Sequence, residues 1–274
     1  MRFADHGRAY DPRRESGGLT AEAARLEAQA ALSWPREREI LARLIAVPRP
    51  RILEVGCGSG AVTMRLLADF PDARVTALEP DADLLALAGE RLGASPRLSL
   101  VHGSIDHNPL GEGGFDLVVL RYVLQHLADP VAALVALRAK LAPDGRLAVI
   151  DVDGGLWGAA DPTDPTLAPL HAAAAATHAG RGGDRLIGRR LWSLLRAAGY
   201  GDPRLGAFCY HSGDLGLAAF APQLGPERLL PAVTAGDLAF EDYLKLVEAD
   251  RRFLADPEAF VLMLGFVCSG GRGP

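Results

Sequence analysis

RILEVGCGSG, residues 51–60, joins an apolar run to a cluster of glycines. The run 51–55 reads as a short buried strand, and residues 59–69 continue as a helix with Val62, Leu66 and Leu67 facing inward. Glycines at such a junction permit a tight turn and let a ligand come close to the backbone. The first turn of the helix adds N–H groups that have no intrahelical partner. A second strand, RVTALE (74–79), ends on Glu79, 19 residues after Gly60. An acid at that place can accept hydrogen bonds from both hydroxyls of a ribose.

The same rhythm continues outward. Asp81 caps a helix whose apolar face carries Leu84, Leu85, Ala88 and Leu92, and LSLVH (98–102) and FDLVVL (115–120) are further strands. Asp129-Pro130 opens a helix with Leu134, Leu137 and Leu141 on its core face. Pro143-Asp144-Gly145 reads as a turn before the strand RLAVIDV (146–152). Strands alternating with helices predict parallel β-α-β units with right-handed crossovers, and near-continuous apolar strands predict a sheet covered on both faces.

On the N-terminal side, residues 1–48 are expected to form an arm and a helical lid: polar residues 1–18, a helix over 20–32, a break at Trp34-Pro35 and a second helix over 36–47. Residues 49–274 form the core, with cap insertions at about 153–187 and 212–258. Within them, 167–179 is an alanine-rich helix and 240–254 an amphipathic one. A helix over 188–198, a strand near 204–210 and the closing strand FVLMLGFVC (260–268) complete the chain.

The 274 residues carry a net charge of -5 with scattered arginines, which argues against a nucleic-acid partner. No apolar run reaches the ~20 residues of a membrane span. The polar start is not a leader peptide. Cys57, Cys209 and Cys268 are too far apart for a zinc site or a disulfide framework. The expectation is a cytoplasmic protein without bound metal; a homodimer is compatible with this composition.

Glu54, just before the glycines, sharpens the cofactor assignment. Gly56, Gly58 and Ala61 satisfy the G-x-G-x-x-A pattern of nicotinamide cofactors, but a carboxylate at 54 would oppose a pyrophosphate and favour a cationic ligand. ILEVGCGSG, ALEPD, FDLVVLRYVLQHLADP and LAPDGRLAVIDVD together resemble the class I S-adenosylmethionine-dependent methyltransferases, most densely over 50–152. Tyr10, ESGGL, ARLEAQA and GRRLWSLLRAAGY (188–200) resemble a subgroup that methylates small metabolites. The resemblance implies an α/β, Rossmann-like, seven-stranded mixed sheet with its last strand antiparallel, helices on both faces, an N-terminal helical lid and an inserted cap. It implies S-adenosyl-L-methionine as cofactor. Gly56, Gly58 and Gly60 would line its methionine part, Glu54 its ammonium, and Glu79 with Pro80 its ribose. The family commonly has an Asp after the glycine that follows the third strand; here Ser104 stands there, so Ser104, Ile105 or Asp106 would meet the adenine. Arg121 would face the cofactor, Tyr10 and Gln29 would close over it, and Arg25 would reach its carboxylate.

The catalytic candidates lie at the C-terminal edge of the sheet, where α/β proteins hold ligands. His126 is the candidate base, although a histidine in LQHL also suits packing. Asp151 and Asp153 close the fifth strand. Trp157, His171, His178 and Tyr210, followed by His211, are candidate substrate contacts. The reading is methyl transfer to an O, N or C atom of a small organic metabolite, aromatic or polycyclic, in secondary metabolism. The alternatives are an NAD(P)-dependent oxidoreductase and a cofactor-binding protein without methyl transfer.

Overall fold

The computed structural model of the chain describes residues 10–13, 18–156, 158–163, 176 and 178–273. Its centre is an eight-stranded sheet in which β3 (Leu98–His102), β2 (Arg74–Glu79), β1 (Arg51–Val55), β4 (Phe115–Arg121) and β5 (Leu141–Asp151) run parallel in that order. β8 (Phe260–Gly271) is antiparallel to β5. β7 (Gly201–His211) pairs antiparallel along nearly the whole length of β8. Strand alternation divides the core in two. Ile52, Leu117, Val119, Ala148 and Ile150 face one side, where α1 (Leu19–Leu44) and α2 (Ala61–Asp69) contribute Leu41 and Leu66. Leu53, Val118, Leu120, Leu147 and Val149 face the other, where α4 (Pro130–Lys140) and α5 (Leu191–Ala197) contribute Leu134, Leu137, Leu191 and Leu195. Both faces are therefore dry, as the unbroken apolar runs require. α3 (Ala82–Leu92) is capped by Asp81, whose carboxylate accepts from the N–H groups of Asp83 and Leu84.

Several sequence expectations need correction. The sheet has eight strands, not seven. The extra one, β6 (Gly158–Asp161), falls inside the predicted cap. β8 is longer than the end of β5 can cover. β5 pairs with Phe266–Gly271 of β8, and β6 then pairs with Phe260–Met263 in the same direction, so the backbone groups exposed beyond β5 are satisfied. Pro143-Asp144-Gly145 lies within β5, which begins at Leu141 with a register shift against Phe115 and Leu117. Gly145 sits so close to the Phe115 carbonyl that a Cβ would fall 2.5 Å from its oxygen.

The break at Trp34-Pro35 does not occur: α1 is one helix of 26 residues with Pro35 inside it. Proline removes one hydrogen bond from a helix, but tertiary contacts hold the turn in place. Trp34 is buried and its indole N–H donates to Asp69 Oδ2 at 2.6 Å. One turn on, Glu37 is fully buried and accepts from Arg121 Nε at 3.0 and 2.8 Å. Arg121 Nη2 also donates to Ser33 Oγ at 2.9 Å and to the Gln29 carbonyl at 3.2 Å. Packing and a buried ion pair override a local helix breaker.

After β7 come short helices α6 (Ser212–Leu215), α7 (Ala221–Leu224) and α8 (Leu230–Ala235), then α9 (Phe240–Ala255). Among the described residues no helix is long and apolar enough to cross a membrane.

Replacing one member of a buried ion pair strands the other charge. Glu37→Ala should lower the free energy of unfolding by about 3–5 kcal/mol, read as a fall in the urea midpoint. Combining Glu37→Leu with Arg121→Met should recover most of that loss.

Candidate functional site

The C-terminal ends of β1, β2 and β4 open into a cavity of about 1250 Å³, roofed by α1 and by α7. Its floor is the loop after β1. Gly56, Gly58 and Gly60 have φ of 72°, 56° and 80°, in the left-handed region that favours glycine. Gly56 is further constrained from above, since a Cβ there would lie 2.6 Å from Val123 Cγ2. Gly60 does not line the cavity. It caps α2 in the left-handed conformation, and a Cβ there would meet Leu92 at 2.9 Å.

Two buried carboxylates flank this floor. Glu79 Oε2 accepts from the Gly58 N–H at 2.8 Å and its Oε1 from the Asp81 N–H at 2.9 Å. Glu54 accepts from Thr63 Oγ1 at 2.6 Å. Burial pushes Glu54 up to about 8, against the opposing pull of Thr63 and Arg121. A buried acid that is mostly protonated near neutrality is a receptive site for a cation. The loop after β3 closes the next wall. Ser104 N donates to the His107 carbonyl at 3.0 Å, and Asn108 Nδ2 ties down the carbonyls of Ser104 and Ile105 at 2.8 Å each.

The other half of the cavity is built from rings. His126, in the one-turn helix Leu124–His126, packs between Tyr10 and His178, with ring centroids 5.1 Å from each. Its Nδ1 is buried with no hydrogen-bond partner among the described residues. Burial, then the charges of His178, Arg185 and Arg25, hold His126 well below the usual histidine range, so the ring is neutral at pH 7. His178 Nε2 lies 2.9 Å from the Gln125 carbonyl. A carbonyl only accepts, so Nε2 carries the proton and Nδ1 of the neutral ring keeps its lone pair. Tyr210 is buried in a stack with Phe208 and Phe220 and reaches the cavity beside Tyr122. Tyr122 has φ +56°, a strained conformation for a bulky residue at the end of β4.

The structure thus brings Tyr10, Arg25, Gln29, Glu54, Gly56, Gly58, Glu79, Pro80, Ser104, Ile105, Arg121, His126, His178 and Tyr210 to one cavity wall. Trp157 and His171 lie outside the described residues. Asp151 and Asp153 are absent from the wall. Asp151 is buried behind it, accepts from the N–H groups of Gln125 and Val152, and is pushed up to about 7 by burial. Asp153 is gripped by Arg189 at 2.6 and 2.7 Å. The sequence reading missed Glu22 and Gln223. Glu22, fully buried, accepts from the Tyr10 hydroxyl and from Arg25. Gln223 of α7 accepts from Arg25 and Gln29 at 3.4 Å each and donates to the Arg25 carbonyl at 3.3 Å. The i, i+3 spacing of Glu22 and Arg25 was the one available signal for the first. For Gln223 the signal was a lone amide in the apolar stretch FAPQLG.

Comparison with known proteins places this arrangement. A family described as "Methyltransferase domain" matches residues 53–147. The chain is similar to trans-aconitate 2-methyltransferase of Methylobacterium radiotolerans, 31% identical over 246 residues, covering 82% of this chain and 90% of that protein. It belongs to the class I S-adenosylmethionine-dependent methyltransferases.

Other similarities are more local. An uncharacterised methyltransferase of Schizosaccharomyces pombe is 38% identical over 111 residues, covering 38% of this chain and 40% of that protein. Against the first three curated relatives, the chain spans 40%, 24% and 52% of their lengths. Among solved structures, phosphoethanolamine N-methyltransferase 2 of Haemonchus contortus in complex with S-adenosyl-L-methionine shares the fold, with a TM-score of 0.60, 15% identity, 96% of this chain covered and 60% of that chain. Membership in this methyltransferase family favours a sulfonium cofactor over nicotinamide, and the residues present fit it. The floor lacks side chains where a ligand must approach, and buried acids stand where positive charge and hydroxyl donors need acceptors.

Gly56→Ala introduces both a positive-φ strain and a clash with Val123. It should destabilise the protein by about 1–3 kcal/mol, measurable by thermal unfolding. Adding Val123→Ala should restore part of the loss.

Proposed function

We propose that this methyltransferase moves the methyl group of S-adenosylmethionine to a protic O, N or C nucleophile of a small organic molecule. The carrying observation is a single cavity that joins a glycine floor flanked by Glu54 and Glu79 to a neutral histidine. When bound, the sulfonium supplies an electrophilic methyl group. Glu79 holds the ribose hydroxyls and Glu54 the ammonium. Ser104 and Ile105 border the adenine. The protein's own work is then to align the nucleophile, exclude water and accept a proton. His126 is suited to the last task because it is neutral at pH 7. Its Nδ1 is enclosed, which leaves Nε2 as the acceptor. In this reading the α1 segment of residues 1–48 serves as the lid, and the segments 153–187 and 212–258 shape the acceptor chamber.

The apolar stack of Tyr210 and Phe220 supports an organic acceptor. So does the relative named for trans-aconitate, which resembles this chain over most of its length. The negative net charge supports a small molecule over a polyanion. A role in secondary metabolism, a cytoplasmic setting and a homodimer belong to the same reading.

Incubation with methyl-tritiated S-adenosylmethionine and a metabolite extract should label a small organic product; a failure to bind the cofactor at millimolar concentration would reject the reading. His126→Gln should lower kcat toward the labelled acceptor about 100-fold while leaving S-adenosylhomocysteine affinity nearly unchanged.

Glu54 gives a pH signature. With its carboxyl at about 8 in the ligand-free protein, it is ~90% protonated at pH 7. A cation stabilises the charged form, so binding expels that proton, and affinity rises with pH up to about 8 and then levels. Calorimetry in buffers of different ionisation enthalpy should show nearly one proton released per cofactor at pH 7, and none for Glu54→Gln.

A further inference from the structure

The charges around the cavity are segregated by the order of the strands. On the β1-β2-β3 side stand Glu54 at the end of β1, Glu79 and Asp81 at the end of β2, and Asp106 after β3. On the other side stand three guanidinium groups. Arg121 ends β4, Arg25 comes from α1, and Arg185 packs against the loop after β5, where its carbonyl accepts from the Gly154 N–H at 2.7 Å.

The acids in reach of the basic side are engaged elsewhere or set back from it. Glu37 and Glu22, buried behind the wall, bind Arg121 and Arg25. Asp184 binds Arg190 and the Leu186 N–H. Asp153 binds Arg189. Asp129, at the rim, caps α4 through Ala132 N. Arg185 is the cation whose field reaches into the ring cluster. His126, His178 and Asp151 all feel it, and in each it disfavours the protonated form.

A chamber with this polarity sets an anion next to the place where the proposed function puts a cation. We propose that the acceptor subsite recognises a carboxylate: the methyl acceptor is a small organic acid, held by its carboxylate at Arg185 beside His126 and His178. Opposite charges on cofactor and acceptor draw the two reactants together in a low-dielectric space. A guanidinium also offers paired donors matched to a carboxylate's two oxygens. Tyr10 and the two histidines form the ring wall against which the organic part of the acid packs. This inference rests on the cofactor assignment above.

The test is calorimetry on the full chain saturated with S-adenosylhomocysteine. The probes are benzoate, trans-cinnamate, itaconate and tricarballylate, each compared with its full methyl ester. At least one acid should bind about tenfold or more tighter than its ester. Arg185→Met should abolish that preference while leaving homocysteine affinity within about threefold, and Arg185→Lys should retain part of it. Homocysteine binding with no acid preferred over its ester overturns the carboxylate subsite alone, as does a preference that survives Arg185→Met. Absent homocysteine binding overturns the cofactor assignment and this inference with it.

Discussion

Everything at the ligand end of the sheet is referred to one carboxylate. Glu79 accepts from the backbone of Gly58 with one oxygen and from that of Asp81 with the other. It thereby ties the turn after β1 to the turn after β2, two loops whose own backbones could each adopt other shapes. The arrangement works only because the first loop has no side chains in the way: Gly56 lies under Val123 and Gly58 keeps its face open toward the cavity. Fixing these loops also fixes where α2 and α3 begin, since Gly60 and Asp81 are their caps.

The N-terminal helix is bound to this framework by buried polar contacts rather than by apolar packing alone. Arg121 reaches from the end of β4 into α1, where Glu37, Ser33 and the Gln29 carbonyl receive it. Nearer the cavity, Glu22 gathers Tyr10 and Arg25, and Gln223 bridges Arg25 and Gln29 to α7. Each bond in the series fixes an angle that apolar contact would leave loose. The roof is therefore set by direction-specific contacts from both ends of the chain.

The parallel half of the sheet was legible because its physics is local. Runs such as ILEV and LVVL must be buried on both faces, and the turns between them carry their own glycines and caps, so 51–55, 74–79 and 98–102 coincide with β1, β2 and β3. Pro35 misled because its effect on a helix is local while the compensation comes from Asp69 and Arg121, far away in the chain. β6 was hidden because GAAD has no strand pattern; its pairing is dictated by the overhang of β8. At the cavity, the glycines and the two acids stand at fixed offsets from strand ends and could be read directly. The assembly of Tyr10, His126 and His178 into one ring cluster depends on three segments meeting in space, which no spacing in the sequence expresses.

β8 carries β5 and β6 end to end along one edge and β7 along the other. Gly158 makes the second join possible: a Cβ there would lie 1.8 Å from the Leu262 oxygen, so only glycine lets the chain rejoin at that point. The backbone that leaves the sheet at residue 152 thus returns to a seat defined by a strand it does not belong to. A splint of this kind makes the excursion modular. Residues between the two seats can lengthen, shorten or change chemistry without shifting any hydrogen-bonded register, and the wall they help build can be remade for a new guest while the loops at the β1 and β2 ends stay still.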